Sequence, residues 1–97
     1  MSGGYFDYYQ HYITSIAEDV YNLIESNDDT TLNQYGDTNG LHYPGHIIEH
    51  FKEGLKVLEQ AAIYATRIDY LVSGDDGEES FIKRLEKELI IVRENKR

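Results

Sequence analysis

The sequence predicts an all-α fold: a three-helix antiparallel bundle with a long central helix and a long polar loop between helices one and two. Three segments carry apolar residues at steps of three and four, the spacing that puts side chains on one stripe of a helix. The single proline, Pro44, stands at the start of the second segment, and Ser73-Gly74 follows its end. We predict one domain, residues 1–97, with helices at about 6–26, 44–72 and 76–94.

The first predicted helix covers about residues 6–26. Its apolar residues recur every three or four positions, whereas Glu18, Asp19 and Glu25 fall largely off that stripe. We expect the stripe to face the core. Its members are Tyr9, Tyr12, Ile13, Ile16, Val20, Leu23 and Ile24.

The second predicted helix begins at Pro44, because a proline fits the first turn, where its missing N–H costs nothing. It ends at Ser73-Gly74, where glycine can take the left-handed conformation of a helix cap. A helix of this length measures about 43 Å, against about 26 to 32 Å for its neighbours. The surplus must project, be covered by the loop or meet another copy, and we therefore expect a homo-oligomer, most simply a homodimer.

The third predicted helix starts within an acidic run, in which Asp76 and Glu79 have the spacing of a capping box. Helices two and three would then form an antiparallel hairpin with helix one across it. Residues 27–43 are polar, and Asn39-Gly40 is a pair typical of hairpin turns. The flanking runs are too short to make convincing strands, so we predict an ordered or partly mobile loop.

Charge is distributed unevenly along the chain, whose formal net charge is −9. Residues 1–51 contain eight acidic residues and no Lys or Arg, and residues 52–97 nearly balance. This argues against direct binding to nucleic acid or to anionic membranes, which draw affinity from Lys and Arg. The chain has no cysteine, no signal-peptide pattern and no apolar run long enough to span a bilayer. A soluble cytoplasmic protein with no membrane partner is the resulting expectation.

Motifs for catalysis or for metal binding are weak. His46 and His50 lie one helical turn apart in a His-x-x-Glu-His pattern, but no clear third ligand accompanies them, and two exposed histidines are the simpler interpretation. Asp37-Thr38-Asn39-Gly40 matches only the middle of a calcium-binding loop. The sequence has no cysteine nucleophile, no Gly-x-Ser-x-Gly and no glycine-rich phosphate loop. We predict no enzyme activity, no catalytic residue, no bound metal and no cofactor.

Tyrosine and one arginine are the better candidates for ligand binding. The chain has nine tyrosines, four of them within residues 5–12, and tyrosine is enriched at binding surfaces. Arg67 lies three residues from two aromatic rings, an arrangement that can hold a phosphate and stack a base. Its simpler role is an ion pair with Asp69 or with an acid of the following cap. The candidate ligand-binding residues are Arg67, Tyr64, Tyr70, Tyr5 and Tyr8.

Two segments resemble a group of short uncharacterised proteins from bacterial and phage genomes. They are Ser2-Gly3-Gly4-Tyr5-Phe6-Asp7-Tyr8 and the stretch from Tyr64 to Phe81, which includes Arg67-Ile68-Asp69-Tyr70-Leu71 and Ser73-Gly74-Asp75-Asp76-Gly77-Glu78-Glu79. The resemblance brings no established activity and no functional residue. It implies a context, since small phage proteins often counter host defence by binding.

The leading hypothesis is a non-enzymatic, phage-type inhibitor of bacterial antiviral defence in the host cytoplasm. It would sequester a nucleotide signal or bind a host defence protein. In the second mechanism the acidic half imitates nucleic acid and blocks a basic groove of that protein. A small structural subunit of a larger assembly is a further alternative.

Overall fold

The computed structural model of the protein describes residues 4–94, so Ser2 and Gly3 of the N-terminal motif lie outside the described residues. Three helices follow one another along the chain: α1 (Gln10–Glu25), α2 (Gly45–Val72) and α3 (Glu78–Glu94). No strand occurs between residues 4 and 94; the only β feature there is an isolated bridge. The predicted all-α bundle with a long central helix is confirmed.

Helix α2 is the centre of the architecture. α1 and α3 both pack against α2, and over the described part of the chain no Cα atom of α1 lies within 8 Å of one in α3. The Cα atoms consequently form a thin slab of 53 × 28 × 14 Å. Few apolar side chains are covered from all sides in such a slab. The buried ones among residues 4–94 are Ala17, Leu55, Leu89 and Val92.

Helix α1 begins four residues later than predicted, at Gln10. Asp7 and Tyr8 adopt left-handed backbone conformations, with φ of 54° and 62°, which a right-handed helix cannot contain. The buried or half-buried stripe of α1 comprises Gln10, Ile13, Ala17, Val20 and Ile24. Four residues predicted to face the core are exposed, because α1 packs against a single helix that covers only a narrow stripe. They are Tyr9, Tyr12, Ile16 and Leu23.

The loop between α1 and α2 is ordered around the buried side chain of Asn27. Its Oδ1 accepts from the Tyr43 backbone N–H at 2.9 Å, and its Nδ2 donates to the Tyr43 carbonyl, also at 2.9 Å. Both ends of the loop are thereby fixed to each other at the start of α2. The Tyr43 ring then packs edge-on against Phe51 of α2, with 5.7 Å between ring centroids. The loop thus covers part of the surplus length of α2.

Within the predicted loop the chain reverses direction at residues 33–37 rather than at Asn39-Gly40. Asn33 N–H donates to the Asp37 carbonyl at 2.8 Å, and the Asn33 side chain accepts from the Tyr35 and Asp37 N–H groups. Asparagine often stabilises a turn in this way. Gly40 instead lies where the two arms of the loop approach closely, and its N–H donates to the Asp29 carbonyl at 3.1 Å.

The predicted left-handed cap of α2 is confirmed at Gly74, whose φ is 83°. The Asp75 N–H donates to the Tyr70 carbonyl at 2.9 Å, which is the bond that defines a Schellman motif. The predicted pairing of Asp76 with Glu79 does not describe this corner. Asp76 accepts from the Ser80 hydroxyl at 2.6 Å instead, and α3 begins at Glu78.

Despite its 28 residues, α2 is not apolar enough to cross a bilayer, and neither is any other helix within residues 4–94.

The close approach at Gly40 gives a first testable prediction. A Cβ atom at this position would lie 2.5 Å from the Asn27 carbonyl oxygen and 2.7 Å from that of Asp29. We expect Gly40→Ala to lower the free energy of unfolding by about 1–3 kcal/mol in urea denaturation, since backbone must move to admit the methyl group.

Gly45→Ala is the matched control. A Cβ at Gly45 meets nothing within 4 Å, and Gly45 is the first residue of α2. We expect this variant to be as stable as the wild type or slightly more stable. Equal effects of the two substitutions would contradict the packing of the loop described above.

Candidate functional site

Arg67 is fixed inside the molecule by carboxylates. Its Nε lies 2.9 Å from Glu88 Oε1 of α3, its Nη1 lies 3.9 Å from Asp76 Oδ2, and only 15% of its side chain is exposed. The contact with Glu88 is an ion pair without aligned hydrogen-bond geometry, since neither atom has a hydrogen-bond partner among the described residues. The expected ion pair with an acid of the cap is confirmed in Asp76, whereas Asp69 has a different role. Arg67 thus joins α2 to α3.

Of the five predicted ligand-binding residues, only Arg67 and Tyr70 come together clearly. The Arg67 guanidinium carbon lies 5.1 Å from the centroid of the Tyr70 ring, within the range of a cation–π contact. Tyr64 is exposed on another part of α2, and no described contact joins it to Arg67. Tyr5 and Tyr8 are exposed in the segment before α1, where Tyr5 packs edge-on against Phe6 and Tyr8 stacks on His11.

Asp69 holds the segment before α1 against α2. We call residues 4–9 the N-terminal strap. The Gly4 N–H donates to Asp69 Oδ2 and the Phe6 N–H donates to Oδ1, both at 3.0 Å. Gln10 Nε2 donates to Oδ2 at 3.4 Å. Because Asp69 is only 1% exposed, these donors replace the water that a carboxylate would otherwise bind.

The strap takes up a strained path to reach this carboxylate. Gly4 has φ of 101°, which glycine adopts readily, but Asp7 and Tyr8 both have positive φ at a cost of roughly 1–2 kcal/mol each. Such conformations persist where surrounding contacts enforce them. The bonds to Asp69 provide those contacts, together with the Tyr5 N–H, which donates to Ser73 Oγ at 3.2 Å.

A groove runs over α2 where α1 and α3 fail to meet. We call it the α1–α3 groove; its volume is about 750 Å³. Its floor is apolar, with Leu55, Ala62 and Ile63 from α2, Ala17 from α1 and Val92 from α3. The remaining lining residues are polar: Thr14, Glu18, Tyr21, Asn22, Glu59, Thr66 and Glu88.

The electrostatic character of the α1–α3 groove is acidic. Each of its three helices contributes one carboxylate, from Glu18, Glu59 and Glu88, and no Lys, Arg or His belongs to the described lining. Glu18 is exposed and forms no ion pair with any residue between 4 and 94. The groove therefore combines apolar area with a negative rim, which suits an amphipathic cation.

The histidine pair at the start of α2 remains a weak metal candidate. Both His46 and His50 are exposed. Over residues 4–94 no group of three His, Cys, Asp or Glu side chains is arranged to hold a metal ion. The described residues therefore supply no third ligand for the pair.

Sequence reasoning missed both Asp69 and the α1–α3 groove. A signal for Asp69 was present, because it lies 14 residues after Leu55 and seven after Ala62, on the stripe that faces the other helices. A carboxylate on a buried stripe requires donors. The groove had no such signal, since it depends on the separation of α1 from α3.

No protein-family model matches this sequence, and comparisons with curated proteins and with solved structures find no significant similarity. The chain's function must therefore be inferred from its geometry and charge.

The strap gives the second testable prediction. Asp69→Ala removes the acceptor for two backbone N–H groups and for Gln10, and we expect a loss of about 1.5–3 kcal/mol in the free energy of unfolding. Hydrogen exchange at the Gly4 and Phe6 amides should accelerate together. Ser73→Ala is the control, because it removes one exposed bond and should cost no more than about 1 kcal/mol. Unchanged exchange at both amides in Asp69→Ala would contradict the role assigned to this carboxylate.

Proposed function

We propose that the protein acts without catalysis, by holding a basic amphipathic segment of a partner protein in the α1–α3 groove. The observation that carries this proposal is the apolar floor with the carboxylates of Glu18, Glu59 and Glu88 at its rim and no basic side chain in the described lining. Glu88 already pairs with Arg67, so Glu18 and Glu59 are the carboxylates that would select a basic ligand. Burial of apolar side chains on the floor would supply most of the affinity. The carboxylates would select Lys and Arg beside those side chains and reject acidic sequences.

The dimensions of the floor suit a short helix. Its α2 residues extend from Leu55 to Thr66, which corresponds to about 17 Å or three helical turns. A ligand helix of this length presents apolar anchors at positions i, i+3 or i+4, and i+7, the pattern of helix-in-groove recognition. The volume of about 750 Å³ also lies within the usual range for binding sites.

Charge outside the groove supports a basic partner. The acids Glu18, Asp19, Glu25, Asp28 and Asp37 are all exposed, and none forms an ion pair with a described residue. Because residues 1–51 contain no Lys or Arg, the strap, α1 and the loop contribute no compensating Lys or Arg charge of their own. The resulting field attracts a basic protein surface and repels the phosphates of nucleic acids.

The biological setting follows from the resemblance to short bacterial and phage proteins. In that setting the partner is a bacterial defence protein whose basic surface normally contacts nucleic acid, and the chain occupies that surface by stoichiometric binding in the host cytoplasm. A homo-oligomeric state belongs to the same proposal, since two copies would present two acidic grooves.

Sequestration of a nucleotide signal is the second candidate, favoured by the contact of 5.1 Å between Arg67 and the Tyr70 ring. A phosphate would have to displace Glu88 or Asp76 from Arg67, and this cost makes the first proposal the better supported one. Calorimetry with cyclic dinucleotides separates the two candidates. Tight binding that Arg67→Ala abolishes would favour sequestration, provided that the variant retains its helical circular dichroism.

The third testable prediction concerns the carboxylates of the groove. A labelled synthetic helix with Leu on one face and Lys and Arg beside it serves as the probe, and fluorescence anisotropy measures its dissociation constant. We expect Glu18→Gln combined with Glu59→Gln to weaken binding by about tenfold, and binding to weaken as salt is added.

Glu86→Gln combined with Glu79→Gln is the control. Both residues are exposed on α3 and lie outside the lining of the α1–α3 groove, and the pair removes the same amount of charge. We expect this variant to bind the probe nearly as well as the wild type. An equal loss in both variants would mean that net charge, and not the groove, attracts the peptide.

A further inference from the structure

Helix α2 carries a second apolar stripe, on the side opposite the α1–α3 groove. Starting at Gly54, residues recur at steps of three and four through Leu71, which is the heptad spacing of helices that pair along a seam. Successive residues turn by about 100°, so this stripe lies about 160° from the groove floor at Leu55, Ala62 and Thr66. We call it the α2 seam; its six residues are Gly54, Val57, Ala61, Tyr64, Ile68 and Leu71.

Three residues of the α2 seam are exposed in the single chain: Val57 is 65% exposed, Tyr64 40% and Ile68 37%. The other three, Gly54, Ala61 and Leu71, are half-buried. None of the six positions carries a charge, although the chain as a whole has a net charge of −9. An uncharged, exposed heptad stripe on an otherwise acidic molecule is unusual, because exposed apolar area of this kind normally marks an interaction surface.

Gly54 provides an independent indication. Glycine is one of the least favourable residues inside a helix, and Gly54 lies in the tenth position of a helix of 28 residues. A Cβ atom at this position would meet nothing within 4 Å, so nothing within residues 4–94 requires a glycine. The close approach of a second helix does require a small residue, and it would account for Gly54.

We propose that the α2 seam binds the α2 seam of a second copy of this chain, antiparallel, about a two-fold axis at the level of residue 59. This register pairs Gly54 with Tyr64 of the second copy, and Val57 with Ala61 of the second copy. At the centre of the seam each large side chain thus meets a small one. A parallel pairing would oppose Tyr64 to Tyr64 and Gly54 to Gly54, which crowds one layer and leaves a void in another.

The same axis extends the pairing toward both ends of α2. It places Ile47 against Leu71 of the second copy and His50 against Ile68 of the second copy, which continues the steps of three and four without a break. The stripe then spans 25 residues, or about 37 Å. A surface that complements itself under one rotation indicates a second copy as the occupant, and no unrelated partner needs to be invoked.

Helix α1 adds apolar area on the same side. Tyr12, Ile16 and Leu23 are exposed, and the helical turn puts them on the side of α1 away from the groove-lining residues Thr14 and Tyr21. They would flank the paired α2 helices. The α1–α3 groove of each copy stays open on the outside, so self-association and partner binding use opposite faces.

Sedimentation equilibrium of the full chain tests the proposal. We expect a dimer for the wild type and at least a tenfold weaker association for Gly54→Leu, in which the new side chain meets Tyr64 of the second copy. A Cβ atom at this position meets nothing within 4 Å in the single chain, and circular dichroism of the variant checks that its helices are retained. Combining Gly54→Leu with Tyr64→Ala should restore association. Ile91→Leu on α3 is the control and should leave it unchanged.

Cysteine cross-linking fixes the direction of pairing, and the chain has no native cysteine to interfere. An equimolar mixture of Val57→Cys and Ala61→Cys should form mixed disulfides in preference to either homodimeric product. Preferential self-linking of each variant would overturn the antiparallel register. A wild-type chain that sediments as a monomer, or a Gly54→Leu variant that associates as strongly as the wild type, would overturn the proposal itself.

Discussion

In residues 4–94 the backbones of α1 and α3 each approach α2 closely, but no Cα atom of α1 lies within 8 Å of one in α3. In a compact bundle each helix touches both others and their stripes close over one core. Here the stripe of α2 is divided between two neighbours, and the slab is only 14 Å thick across its Cα atoms. The open groove, the thin core and the bare outer face of α2 all follow from this arrangement.

Because the apolar core is thin, buried polar contacts also contribute to the stability of the fold. Asp69 binds the backbone of the strap, Asn27 binds both ends of the loop, and Asp76 receives Arg67, Arg84 and Ser80 at the α2–α3 corner. All three side chains are nearly or fully buried, where hydrogen bonds are strong and unpaired groups are costly. They fix the strap, the loop and the α2–α3 corner in addition to the apolar packing between the helices.

Much of the fold could be predicted from the sequence because its signals are local. The step of three and four, Pro44 and Gly74 give the α2 bounds to within a residue. The start of α1 could not be predicted in this way. Tyr9 and Tyr12 continue the apolar spacing toward the N-terminus, but hydrogen bonds to Asp69, far away in the sequence, hold the strap in a conformation with positive φ at Asp7 and Tyr8. The α1–α3 groove could not be predicted from local signals either. Periodicity identifies which face of a helix is apolar, but it does not show how many neighbouring helices cover that face. Ile16 and Leu23 are therefore exposed although they lie on the apolar stripe of α1.

Net charge and self-association make opposing demands on this chain. A protein with nine excess negative charges repels its own copies. The acids of residues 4–51 lie in the strap, α1, the loop and the first turns of α2, and those of the groove lie on its rim, whereas the six positions from Gly54 to Leu71 that form the α2 seam are uncharged. Under the two proposals, separation of this kind would let the groove attract basic partners while the seam positions themselves carry none of the acidic side chains. The single helix that both neighbours share is therefore also the element that can serve two interactions at once, because each uses a different side of it.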